Sequence, residues 1–121
     1  MQCVILSGGL GTRLGQLGGR HPKHLVTVLG RPFAHRQLAW LGDQGVDSVL
    51  ECVGHRGDEI RASIGDGAAW GLSVVYSDDG LDAQGEPRRL GTGGALLMAH
   101  RRGQLSERLI VIYGDSWLRL D

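Results

Sequence analysis

At 121 residues and 13.0 kDa the chain fits one domain and leaves little room for a second. A hydrophobic fraction of 41% with 21% charged residues excludes a disordered tail, and thirteen basic against thirteen acidic residues exclude a nonspecific nucleic-acid binder. The two cysteines, Cys3 and Cys52, sit in apolar runs as buried thiols of a reducing compartment do. No apolar stretch is long enough to span a bilayer, and the N-terminus lacks a signal-type pattern. A cytoplasmic protein that engages neither nucleic acid nor membrane is therefore expected.

In chain order, residues 2–7 form an apolar run that opens into glycine and read as a buried strand. Residues 8–21 form a loop with six glycines and two arginines, closed by Pro22-Lys23-His24. A short apolar extension follows at residues 25–29. The period then changes: Pro32 near the first turn, apolar residues at helical spacing and Gly45 beyond the end predict a helix over residues 32–44. Residues 48–53 read as a second strand, 58–64 as a short helix closed by Gly65 and Gly67, and 73–76 as a third strand. A polar, exposed loop is expected over residues 77–90. Thr92 is placed as the cap of a helix through Ala95 to Ala99, and residues 108–113 form a fourth strand ending at Gly114-Asp115. The alternation implies right-handed crossovers and a mostly parallel, Rossmann-like α/β sheet with flanking helices.

Ligands of such sheets gather beyond the carboxyl ends of the strands, and three suggestive segments fall there: Ser7-Gly8-Gly9, Gly54-His55-Arg56 and Gly114-Asp115. In the run from Ser7 through Leu14, small residues let backbone amides approach a phosphate chain, and Arg13 offers a fork suited to phosphate oxygens. A surface loop with a solvated arginine has the same composition. The run is neither a dinucleotide fingerprint, because Leu14 stands at the third glycine position, nor a Walker loop, because no Gly-Lys-Ser/Thr follows. Lys23, the sole lysine, is aimed by Pro22 or is a plain surface charge. Asp115 suits a magnesium ion or simply a turn, and Gly91, Thr92, Gly93 and Gly94 suit either contacts to a base or sugar or a tight loop-to-helix junction. The five histidines lack metal-ligand spacing and are expected at the surface or the site edge. Trp40, Trp70 and Trp117 are expected in or beside the core.

Taken in order, these segments resemble the sugar-phosphate nucleotidyltransferases. The matching residues are Gly8-Gly9-Leu10-Gly11-Thr12-Arg13-Leu14, Pro22-Lys23, Gly30-Arg31-Pro32-Phe33, Leu90-Gly91-Thr92-Gly93-Gly94-Ala95 and Gly114-Asp115-Ser116. The later segments look most like the heptose- or mannose-1-phosphate guanylyltransferase branch. The resemblance implies the nucleotide-diphospho-sugar transferase type of fold. It also implies transfer of a nucleotidyl group from a nucleoside triphosphate, GTP favoured, to a sugar 1-phosphate, with release of pyrophosphate. Arg13 and Lys23 would be catalytic. Leu6, Ser7, Gly8, Gly9, Gly11, Thr12, Arg13, Lys23, Gly91, Thr92 and Gly93 would hold the nucleotide, and Asp115 would bind Mg2+.

The chain departs from the family pattern at His24, where a second proline is common, and in the longer segment 78–89. Family members are commonly about twice this length. Residues 1–121 are thus expected to be the nucleotide-binding N-terminal part without the acceptor-binding half. A non-catalytic regulatory or assembly module on the same scaffold is the alternative reading, and a dinucleotide-binding domain is a third. The last strand should leave an unpaired edge, so self-association or a covering partner segment is expected.

Overall fold

The structure is a computed structural model and describes residues 1–7, 22–54, 56–80, 82–85, 88 and 90–115. Strand β1 (Gln2–Leu6) leads to a 3-10 turn, Lys23–Leu25, and then to a small antiparallel pair, β2 (Thr27–Val28) and β3 (Arg31–Pro32). Helix α1 (Phe33–Asp43), strand β4 (Ser48–Val53), helix α2 (Gly57–Ile64) and a second 3-10 turn, Ala68–Trp70, follow. Strand β5 (Ser73–Asp78), helix α3 (Gly91–Arg101) and strand β6 (Leu109–Tyr113) complete the described chain.

The main sheet has the order β5-β4-β1-β6, and every pairing is parallel. Alternation along the strands sends side chains to two apolar layers. Cys3, Ile5, Val49, Val53, Val74 and Ile112 meet Ala34, Leu38 and Leu41 of α1 and Ile60 and Ile64 of α2. Val4, Leu50 and Cys52 meet Ala95 and Ala99 of α3 on the opposite face. Helices cover both faces, as expected of strands that read as continuous apolar runs. Trp40 and Trp70 pack at the edge of the first layer, as the sequence suggested, and both cysteines are buried and unbridged.

Several local expectations are corrected. Thr92 does not cap α3: the cap position is Leu90, with no side-chain cap bond, and Thr92 lies inside the helix. Strand β5 runs two residues past the expected stop because Ser77 is buried and its hydroxyl accepts a 2.8 Å hydrogen bond from Arg102 Nη1. Asp79 is buried as well, so the polar segment after the third strand is not exposed at its start. The extension at residues 25–29 becomes the end of a 3-10 turn and a two-residue strand.

Topology locates the site. Successive strands β1, β4 and β5 step one way across the sheet, and β6 then returns to the other side of β1. A crevice for ligands opens at such a reversal, beyond the carboxyl ends of the strands. Here it lies between Ser7, after β1, and Gly114, after β6.

Candidate active site

The rim of the sheet at this reversal is tied together by backbone bonds. The Gly114 amide donates to the Leu6 carbonyl and the Ser7 amide to the Cys52 carbonyl, each at 3.0 Å. Beneath the rim lies a polar network in an otherwise apolar layer. Glu51, wholly buried in the middle of β4, projects on the same side as Val49 and Val53. Its Oε1 lies 2.9 Å from His24 Nε2, and its Oε2 accepts a 3.0 Å bond from the Ser7 hydroxyl. His24 Nδ1 lies 2.8 Å from the Gly114 carbonyl oxygen. One residue earlier, the Tyr113 carbonyl accepts a 3.0 Å bond from Nε2 of Gln37, itself buried in α1.

The chemistry of these partners fixes the proton count. A carbonyl oxygen only accepts, so His24 Nδ1 must donate, and the Nε2–carboxylate contact then holds a further proton. With that proton on the ring, the contact is an imidazolium against a carboxylate. Burial by itself would pull His24 below its ordinary value, but the Glu51 charge, the bond to Glu51 and the bond to Gly114 outweigh it, and Asp115 adds to them. The net direction is upward. A buried charge pair is costly to desolvate unless each partner is fully hydrogen-bonded, and here Ser7 and Gly114 take up the remaining groups.

Sequence reasoning expected His24 to hydrogen-bond at the surface or the site edge; it does hydrogen-bond beside the site, but at 2% exposure it is buried and not a surface residue. The available signal was Glu51, a carboxylate inside the apolar run Val49-Leu50-Glu51-Cys52-Val53, which demands a buried partner.

Of the residues expected at the site, Leu6 ends β1 and Ser7 follows it at the crevice, Lys23 opens the turn that carries His24, and Asp115 follows Gly114 at an exposed position. Gly91, Thr92 and Gly93 form the exposed first turn of α3, and the Thr92 hydroxyl lies 3.3 Å from the Tyr113 hydroxyl. This contact joins the start of α3 to the end of β6, which borders the crevice. Gly8, Gly9, Gly11, Thr12 and Arg13 lie outside the described residues, as do His55 and Trp117. An apolar groove lined by Trp40, Leu41, Val46, Ile110 and Ile112 lies at the foot of the sheet, with Met1, and is not part of this rim.

Residues 3–118 match the MobA-like NTP transferase domain. The chain belongs to this family. It is 34% identical over its whole length to a D-glycero-alpha-D-manno-heptose 1-phosphate guanylyltransferase of Aneurinibacillus thermoaerophilus, of which it covers 49%. It is 32% identical over 95% of its length to a mannose-1-phosphate guanylyltransferase of Mycobacterium tuberculosis, of which it covers 30%. Among solved structures, HddC from Yersinia pseudotuberculosis superposes with a TM-score of 0.75 and 34% identity, over 94% of this chain and 47% of that one. The same protein has been solved in complex with GMP-PN. The chain thus spans about half the length of these relatives or less.

Proposed function

We propose that residues 1–121 form the nucleotide-binding part of a sugar-1-phosphate nucleotidyltransferase. In the reaction an oxygen of the sugar 1-phosphate attacks the α-phosphorus of a nucleoside triphosphate, a new P–O bond forms, and pyrophosphate leaves. One observation carries the reading: Ser7, the turn opened by Lys23, and Gly114-Asp115 converge at the strand reversal of a sheet whose family transfers nucleotides. Such chemistry depends on positioning and on charge neutralisation rather than on a covalent nucleophile.

In this reading Leu6, Ser7, Gly8, Gly9, Gly11 and Thr12 hold the nucleotide and its phosphates. Arg13 and Lys23 bring positive charge to the reacting phosphates, and Gly91, Thr92 and Gly93 line the base and ribose. Asp115 suits Mg2+ because it is an exposed hard-oxygen donor at the crevice, and magnesium commonly takes one or two carboxylates together with substrate phosphates. Bound there, the ion would offset phosphate charge. The names of the heptose and mannose relatives, and the GMP-PN complex of a similar structure, support GTP as donor and a heptose- or mannose-type 1-phosphate as acceptor. The buried, unbridged thiols of Cys3 and Cys52 support a cytoplasmic location.

Strand β6 lies at the sheet edge among the described residues and exposes Val111 and Tyr113. This supports self-association, or a partner segment, through β6. Calorimetry of the chain with GTP, UTP, dTTP and CTP in the presence of magnesium tests the binding reading. GTP should bind most tightly, and the absence of heat with all four would overturn the proposal.

A further inference from the structure

We infer that His24 is a positioning residue whose two ring nitrogens tie the Lys23-bearing turn, the central strand β4 and the Gly114-Asp115 corner into one rigid unit. Three chain segments far apart in sequence meet at this ring: the turn at residues 22–25, Glu51 of β4 and Gly114 after β6. Glu51 extends the unit to a fourth by accepting from Ser7, the residue from which the glycine-rich run departs. Packing is tight as well as bonded. A Cβ at Gly114 would stand 2.9 Å from His24 Nδ1 and 3.0 Å from the Ser7 Cβ, so the corner has no slack. His24 reaches no solvent-facing ligand itself; it acts by setting where Lys23, Ser7 and Asp115 leave the scaffold.

The network makes a specific demand. With Glu51→Gln, a neutral imidazole can still donate from Nδ1 to Gly114 while Nε2 accepts from the new amide, whose oxygen still accepts from Ser7. Every bond survives without charge. With His24→Phe or His24→Leu, the Gly114 carbonyl and the Glu51 Oε1 lose the ring that joins them, and the corner is released.

The test has a ligand-free arm and a ligand arm, and only the second rests on the nucleotide reading proposed above. In the first, amide exchange by NMR follows Ser7 and Gly114, whose N–H groups are bonded to Cys52 and Leu6, with Leu50 as the control for global folding. Both amides should speed up about tenfold or more beyond any change at Leu50, which reads the loss of global stability, in His24→Phe and His24→Leu. Protection should persist in Glu51→Gln. Nitrogen-15 spectra of the unmodified chain, which need no variant, should show both His24 ring nitrogens protonated at neutral pH.

In the second arm, magnesium–GTP affinity measured by calorimetry should fall roughly 10- to 100-fold in the His24 variants, the usual effect of losing support behind a ligand-binding group. It should stay within about threefold in Glu51→Gln. Unchanged Ser7 and Gly114 exchange in a folded His24 variant, or an unprotonated Nδ1 in the unmodified chain, would overturn the inference. So would equal damage from Glu51→Gln and His24→Leu. Failure of the unmodified chain to bind any triphosphate would instead overturn the proposed function, leaving the exchange arm to decide the role of His24.

Discussion

Replacing Gly114 by alanine probes the packing under the rim directly. The new methyl would lie 2.9 Å from His24 Nδ1, 3.2 Å from His24 Cγ and 3.0 Å from the Ser7 Cβ. Gly114 does not have a positive φ, so the backbone tolerates alanine and the cost arises from contacts alone. Nor can the ring swing aside, since it is buried and bonded at both nitrogens. Forcing a methyl into a filled site costs about 1–3 kcal/mol. Stretching the 2.8 Å bond to the Gly114 carbonyl adds about 1 kcal/mol. The expected loss is therefore about 2–4 kcal/mol, or about 1–3 M in urea midpoint at a slope near 1.5 kcal/mol per M. Tryptophan-monitored urea unfolding reads this shift. A double-mutant cycle with His24→Ala should recover a good part of it, because the larger of the two obstacles is then gone. A Gly114→Ala midpoint within about 0.2 M of the parent would refute the packing argument.

Gly42→Ala should also destabilise, by about 1–3 kcal/mol, although alanine normally improves a helix. The reason is that its Cβ would fall 2.7 Å from the backbone oxygen of Trp70; thermal melting checks this, and a raised Tm would contradict it. Burial, helped by Glu51, pushes the Cys3 thiol up to about 12, and burial, helped by Asp79 and Glu51, pushes Cys52 up to about 11. The unfolded thiols ionise near 9.0, so above that pH the unfolded chain sheds protons that the folded chain keeps. Stability should thus hold below pH 9 and fall by about 1 kcal/mol per thiol by pH 10; a Cys3→Ala/Cys52→Ala variant losing as much over that interval would refute the assignment. Asp115→Asn should weaken magnesium–GTP binding about tenfold or more while leaving magnesium-free binding nearly unchanged, as calorimetry with and without the ion would reveal. Val111→Lys, on the exposed edge strand, should reduce self-association in light scattering, and an unaltered size distribution would count against β6 as the contact.

Much of the fold was legible because its signals are local. The run at residues 48–53 coincides with β4, the helix expected at 32–44 is α1 at Phe33–Asp43, and that at 58–64 is α2 at Gly57–Ile64. These segments carry their own period and their own glycine or proline stops. What escaped depends on partners distant in sequence. Ser77 extends β5 because Arg102 reaches it, and Thr92 turns toward Tyr113 instead of capping its helix. Of the candidate site, the rim positions of Ser7 and Asp115 followed from where strands end, whereas the joint that orders them with the Lys23 turn did not. His24 and Glu51 are 27 residues apart, and no local pattern declares that a histidine after Pro-Lys will sit beneath a neighbouring strand's end.

Placing β6 at the flank of the sheet has a geometric corollary. Its last residues, Tyr113 and Gly114, run straight into the acidic corner, and the side of β6 turned away from β1 is where any added strand would hydrogen-bond. Any strand added there would lie next to Asp115 at the mouth of the crevice.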